Sequence, residues 1–361
     1  MMICDTIDEK PGSAFLHQRL KELSPFVYLP NVGNLGDLLI AEGARQLFAR
    51  LGVEYTEYDA AHLPERFNLV FAGGARLTAA WNEDGAYVDK LLDSRVMRGV
   101  VLPHSINGID SSISRFDERY LLCCRDERSA EYCSAHNDKA EIVVAQDLAV
   151  ELQLPSVALD RWKTENCLNL SGDALTTYRA LRRGLFDGMQ RSVKRASVWA
   201  EVEGRRCRVA FLLRRDKERA TAYFAPHTYD ISAAWHTEGG SMCFNEDLLS
   251  GLAAAMRCAD VVVTDRLHAA IAAFHAGCEV YMIDNSYKKL SGVYRLSFAN
   301  QARMHLAESG TLPPDLQRAW VAFDTPCRRF RANLNQRCSI LVRKLRGAVR
   351  PLVRRLKGKS V

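Results

Sequence analysis

The sequence predicts an α/β protein of two Rossmann-like parallel-sheet domains with a cleft between them. Short apolar runs such as FVYLP at 26–30, NLVFA at 68–72 and VVVT at 261–264 alternate with segments of helical spacing, the sign of parallel strands covered on both faces. That rhythm stops between Pro155 and about Glu203 and then restarts, which divides the chain in two. With 361 residues, 48% hydrophobic and 25% charged, the chain can fill two cores. The expected units are residues 1–155, a helical connection at 156–204, residues 205–325, and a basic helical tail at 326–361.

Residues 1–24 read as a polar helical lead-in. Strand Phe26–Pro30 runs into NVGNLGDLLIAEGARQLFARLGV, where Ile40, Ala44, Leu47, Phe48 and Leu51 recur at helical spacing and Gly52 stands at the C-terminal cap. Asp37 is read as the N-cap. The glycine-containing loop before it then leaves backbone N–H groups at the positive end of a helix, suited to an anion or a sugar. Equally, it reads as a tight turn with a capping carboxylate. Further strands follow at Val53, at Phe67–Ala72 entering Gly73 and Gly74, at Val100–Pro103 ending in His104 and Ser105, at Tyr120–Cys124, and at Ile142–Ala145 before Asp147. Paired glycines after a strand allow a ligand or a second backbone to come close. In open parallel sheets ligands sit at the carboxyl ends of strands, so the loops 31–37, 73–76, 103–108, 125–128 and 146–148 carry the interest.

In the second half, TTYRALRRGLFDGMQRSVKRASVWAEV reads as helix, and a strand from Arg208 to Leu213 ends in Arg214 and Arg215. Asn245 is read as capping a helix that runs to Met256. Strand Val261–Val263 leads into the turn TDRLH, then a small-residue helix closed by Gly277. A last strand through Ile283 opens into Asp284, Asn285, Ser286, Tyr287, Lys288 and Lys289.

Charge and cysteine narrow the function. The net charge of +6 is concentrated in VRKLRGAVRPLVRRLKGKSV at the C-terminus, so no nucleic-acid footprint is expected. The eleven cysteines include adjacent Cys123 and Cys124 and isolated Cys4 and Cys133, with no CxxC pair. They read as reduced thiols of a cytoplasmic protein, and no Cys/His cluster points to zinc. No secretory leader is read at the start, and no apolar run reaches the ~18 residues needed to span a bilayer. Leu341, Leu345, Val349, Leu352, Val353 and Leu356 among Arg and Lys make the tail basic and amphipathic. It suits either an anionic membrane surface, peripherally on the inner face, or an ordinary packed helix with a solvated basic end.

The TDRLH turn carries the chemistry. Arg266 is a fork of donors suited to phosphate or carboxylate, and His268 exchanges a proton near neutral pH. A lone helical His is more often structural, but this one stands at a helix N-terminus beside an Arg, at the mouth of a strand. Arg214 and Arg215 end another strand of the same half and can clamp a second anionic group, or form surface ion pairs with Asp216 and Glu218.

Taken in order, GNLGDLLI at 33–40, AGGA at 72–75, VLPHSI at 101–106, RDERS at 125–129, QDLA at 146–149, TDRLHAAIAAFHAG at 264–277 and DNSYKKLSGVY at 284–294 resemble the polysaccharide pyruvyl transferases, on the bacterial exopolysaccharide branch. Two positions depart from the family pattern: His104 stands where glutamine is frequent, and Ala75 follows the glycine pair. The resemblance implies a GT-B-like fold, phosphoenolpyruvate as donor, and a sugar diol of a nucleotide- or lipid-linked surface-glycan precursor as acceptor. It implies no resident cofactor and no metal, phosphoenolpyruvate being a co-substrate. Arg266 matches the donor-binding arginine and His268 the general acid. Arg214 or Arg215, with Asn285, Ser286 and Lys288, fall on the donor side. Asn34, Gly36, Asp37, Gly73, Gly74, His104 and Ser105 fall on the acceptor side of the cleft. Asp37 or Asp265 is placed to take a hydroxyl proton. Two other classes stay open: a GT-B-like glycosyltransferase using a nucleotide sugar, and a non-catalytic anion-binding assembly protein, against which the joint presence of Asp265, Arg266 and His268 argues.

Overall fold

The computed structural model describes residues 11–31, 35–79, 86–154, 196–213, 242–284, 289–307 and 311–323, with a few positions between 187 and 194. In the first half, strands β1 (Phe26–Leu29), β2 (Tyr55–Glu57), β3 (Phe67–Phe71), β4 (Val96–His104), β5 (Tyr120–Cys124) and β6 (Glu141–Val144) form one sheet. Every pairing is parallel, in the order β2-β1-β3-β4-β5-β6. Central strands of such a sheet are covered on both faces, and β5 is buried at every position. The order turns back between β1 and β3, so the carboxyl ends of these two strands form the topological switch point.

Helices α1 (Pro11–Leu23), α2 (Leu35–Leu51), α3 (Ala86–Leu91), α4 (Asp110–Ile113) and α5 (Glu127–His136) belong to this half. α2 forms as its spacing predicts. Ile40, Ala44, Leu47 and Phe48 are buried, and Gly52 turns the chain out at φ 66°. The helix starts at Leu35, however, so Asp37 lies in its first turn and not at the N-cap. The carboxylate there still faces the positive end of the helix. A 3-10 turn, Leu148–Glu151, follows β6 and packs on α2.

The second half is β7 (Ser197–Val202), β8 (Arg205–Leu212), α6 (Met242–Met256), β9 (Val261–Thr264), α7 (Leu267–His275), β10 (Glu279–Ile283), α8 (Lys289–Ser297), β11 (Met304–Ala307) and α9 at 314–323. Its sheet order is β11-β10-β9-β8-β7. This sheet is mixed, which corrects the expectation of a wholly parallel one, because β7 runs antiparallel to β8. It also corrects the end of the helical connection, since residues 197–202 are strand. Glu203 and Gly204, at φ 50° and 73°, make the tight hairpin turn. Val198, Ala200 and Val202 then face one apolar cluster with Cys207 and Val209, while Trp199 stays 54% exposed. That period-two alternation lies directly behind a helical pattern, which masked it. Likewise α6 begins at Met242, so Asn245 is inside the helix and does not cap it.

The two halves share one apolar cluster. It runs from Leu16 and Leu20 of α1 through Leu39 and Phe48 of α2 to Leu252 of α6, Ile271 of α7 and Met304 of β11. Each such side chain, fully buried, contributes about 1.5–3 kcal/mol. α7 lies at the centre of this arrangement. Ala270, Ala272 and Ala273 have no exposed surface, and these small residues let the helix approach both its own sheet and the α2 side of the first half. At its far end the Nε2–H of His275 donates to the Ala149 carbonyl of the 3-10 turn at 3.1 Å.

Candidate active site

Strand ends from both sheets converge at the start of α7. After β9, the Thr264 hydroxyl donates to the Leu212 carbonyl at 2.5 Å and accepts the Arg266 N–H at 3.1 Å. This double use of one hydroxyl fixes the turn. Arg266 takes the extended N-cap position, and its own side chain makes no capping hydrogen bond. His268 is thereby carried on the first turn of α7, with its ring toward the first sheet.

The group it meets is Asp147, which follows β6. The His268 Nε2 to Asp147 Oδ2 separation is 3.7 Å, an ion-pair distance that is longer than a hydrogen bond. Asp147 has no exposed surface. One of its oxygens accepts the Ala149 N–H at 2.9 Å, capping the 3-10 turn, and the other accepts Nη1–H of Arg125 at 2.6 Å. Burial by itself would raise the Asp147 pKa. The positive charge of Arg125 outweighs it, with help from His268, and holds the carboxyl well below the usual carboxylate range.

Arg125, at the end of β5, is the largest fully buried side chain among the described residues. Its Nε–H donates to the Ser105 hydroxyl at 2.9 Å, and Ser105 in turn donates to Asp126 at 3.2 Å. Asp126 caps α5 by accepting the Ser129 N–H at 2.8 Å. Gly292 of α8 lies against it, so closely that a Cβ there would stand 2.9 Å from the Asp126 Cβ. Residues from both halves thus enclose one polar network.

A second group sits at the switch point. The Asn31 side-chain amide donates to the Gly73 carbonyl at 2.6 Å, joining the ends of β1 and β3. Gly74, at φ 133°, leaves room that a Cβ would take: it would come within 2.9 Å of the Asn31 amide nitrogen and 3.5 Å of an Asp37 carboxylate oxygen. The Ser105 N–H donates to the Gly74 carbonyl at 2.8 Å, so the two groups are continuous.

A family model described as polysaccharide pyruvyl transferase matches residues 34–287, which take in His268, Asp147, Arg125, Ser105, Gly73 and Gly74 but not Asn31 or Gly292. The chain belongs to the polysaccharide pyruvyl transferase family. Among solved structures, a protein from Klebsiella pneumoniae subsp. pneumoniae described as uncharacterised is 22% identical, with a TM-score of 0.57. The alignment covers 81% of this chain and 95% of that one, and at this identity the likeness is one of fold. Among curated proteins none matches.

The site of this pyruvyl transferase family member gathers part of what its sequence predicts. Asp265 and Arg266 stand partly buried on the turn that carries His268. Gly36 and Asp37 lie in the first turn of α2, beside Gly73 and Gly74. Ser105 is at the junction. His104 has no exposed surface; its Nε2 accepts the Leu77 N–H at 3.3 Å and its ring stacks on Phe71, a core position next to the site. Asn34, Arg214, Arg215, Asn285, Ser286 and Lys288 lie outside the described residues. Arg125, Asp126, Asp147 and Asn31 were missed as site residues. Their signal was position, since Asn31, Arg125 and Asp147 each follow within three residues of a strand's carboxyl end, and RDERS and QDLA already counted among the family pieces. Among the described residues no group of His, Cys, Asp and Glu side chains is arranged to hold a metal ion.

Proposed function

We propose that this protein transfers the enolpyruvyl group of phosphoenolpyruvate to a sugar diol of a surface-polysaccharide precursor and closes it to a pyruvate ketal. The observation that carries the reading is His268. It is held on the first turn of α7, at the carboxyl end of β9 and next to an ionised carboxylate from the other sheet. The carboxylate can orient the imidazole, and His is the side chain suited to give a proton to carbon near neutral pH.

Phosphoenolpyruvate is a small trianion. Arg266, the N-terminus of α7, and Arg214 or Arg215 provide the donors such an ion needs, with Asn285, Ser286 and Lys288 on the same side. His268 protonates the methylene carbon and turns it into a methyl group. The carbon bearing the phosphate becomes electrophilic, and one sugar hydroxyl adds there and gives up its proton. The C–O bond to phosphate then breaks, with the departing charge held by Arg266. The second hydroxyl adds to the same carbon and loses its proton. One phosphoenolpyruvate and one diol thus yield one ketal and one hydrogen phosphate. Asp37 or Asp265 takes a hydroxyl proton.

In this reading the two halves are arranged in GT-B fashion, the second sheet holding the donor. The acceptor lies along Asn34, Gly36, Asp37, Gly73, Gly74 and Ser105 of the first, with His104 behind them. No resident cofactor takes part. The acceptor is nucleotide- or lipid-linked, and the basic tail keeps a cytoplasmic protein near the membrane that carries it.

The test is incubation with phosphoenolpyruvate and a panel of nucleotide- and lipid-linked sugars. Product of the mass of an added pyruvate ketal, with one phosphate released per ketal, is the expected result. Release of UDP or GDP with transfer of a sugar would instead identify a nucleotide-sugar glycosyltransferase. His268→Ala is expected to lower kcat by about 100-fold or more, and an unchanged rate removes His268 from the acid role.

A further inference from the structure

We propose that Asp147 is the positioning residue of His268, holding Nε2 toward itself so that Nδ1 is the nitrogen that delivers the proton. This rests on the reading of His268 as the acid.

The geometry carries it. Nε2 of His268 is buried, and it has no hydrogen-bond partner among the described residues. The polar atom in front of it is Asp147 Oδ2, at 3.7 Å. The side chain as a whole remains 20% exposed although Nε2 is buried, so its exposure lies elsewhere on the residue. An approach of a few tenths of an ångström, well within side-chain motion, converts the 3.7 Å contact into a hydrogen bond.

Asp147 is held more firmly than the imidazole. One oxygen is tied to the Ala149 amide and the other to Arg125, and Arg125 is tied to Ser105. A carboxylate so fixed accepts an N–H and cannot donate one. It therefore selects the neutral tautomer with the proton on Nε2. When the cation gives up a proton to carbon, the proton leaves from Nδ1, and the product is the tautomer that Asp147 stabilises. The arrangement also joins the halves, because the acid comes from α7 and its orienting carboxylate from the end of β6.

The charged residues nearest the ring in the fold and in the chain come from three places. Asp147 faces it from the end of β6, with Arg125 behind it at the end of β5, and Asp265 and Arg266 precede it on its own turn. The bound donor adds further negative charge.

The full-length protein with 15N-labelled histidine gives the direct measurement. The His268 imidazole, assigned by loss of its signals in His268→Asn, is expected to show the Nε2–H tautomer when neutral. A wild-type Nδ1–H tautomer overturns the proposal whether or not any variant folds. In Asp147→Asn the neutral imidazole is expected to lose its preference for the Nε2–H tautomer, because an amide donates as well as accepts. kcat falls about 100-fold while KM for phosphoenolpyruvate stays within about 3-fold, since an orienting role leaves donor binding in place. Because Asp147→Asn strands the Arg125 charge, Arg125→Met with Asp147→Asn is measured beside it. Wild-type kcat with an unchanged tautomer in a folded variant counts against the proposal. If the tautomer behaves as expected but wild-type protein turns over no phosphoenolpyruvate, the Asp147–His268 pairing stands and the donor assignment falls.

Discussion

Arg125 is where a single residue weighs most on stability. Its guanidinium is withdrawn from water and matched by the equally buried Asp147. Removing one partner of such a pair leaves the other charge uncompensated, at a cost of about 3–5 kcal/mol. Arg125→Met is expected to lose that much in urea denaturation, and the double variant Arg125→Met, Asp147→Asn to recover most of it. A single variant as stable as wild type would show that the charge finds water. His275 supplies a pH dependence. Burial disfavours its charged form and pushes its pKa down to about 4 from 6.5, although the Ala149 carbonyl pulls the other way. The unfolded chain therefore binds more protons between these values. The contribution of His275 is full above pH 6.5 and is lost as pH falls toward 4. His275→Phe should flatten the decline in melting temperature between pH 6.5 and pH 4, and an unaltered slope would assign that decline to other groups. At this scale the sequence pointed to His268 and Arg266 but not to their neighbours. A strand followed by R-D or Q-D looks like an ordinary capped helix start, and Asp126 and Asp147 do cap the elements after them.

Elements were mostly legible, because periodicity is local. β5 occupies the residues its apolar run predicts, and Gly52 and Gly277 close α2 and α7 at φ 66° and 94°. The β7–β8 hairpin was not, since a two-residue period behind a helical pattern is easily absorbed into it. β11 and α9 carried no signal that was read. What the elements do to one another is tighter than their patterns reveal. α8 reaches the Asp126 end of α5 only because residue 292 has no side chain. Gly292→Ala is expected to push α8 away from the junction and cost about 1–3 kcal/mol, read as a lower melting temperature. kcat should fall with it, since α8 packs beside the Ser105–Asp126–Arg125 network. Full stability in that variant would mean that α8 shifts without resistance.

For the whole molecule, the shared apolar cluster predicts one cooperative unit. Residues as far apart as Leu16 and Met304 belong to it, and α7 packs against elements of both halves. Denaturant unfolding followed by far-ultraviolet circular dichroism and by tryptophan fluorescence should give coincident transitions. Two separated transitions would show that the halves hold together more weakly than their contact implies. Among the described residues no helix is long and apolar enough to cross a membrane. The proposed association of the basic tail with an anionic surface is tested by vesicle binding, expected for the full-length protein and lost in a chain lacking residues 344–361.

The sequence by itself determined that two strand-and-helix halves form, that a strand hands Arg266 and His268 to a helix N-terminus, and to which family the chain belongs. These rest on periods of two and 3.6 residues and on motifs read within a few positions of one another. Only the tertiary structure decided that Arg125 and Asp147 stand behind His268, and that Ser105 and Gly292 complete the junction. Those groups meet because two sheets pack through α7, and no local period records which strand ends such packing will bring together.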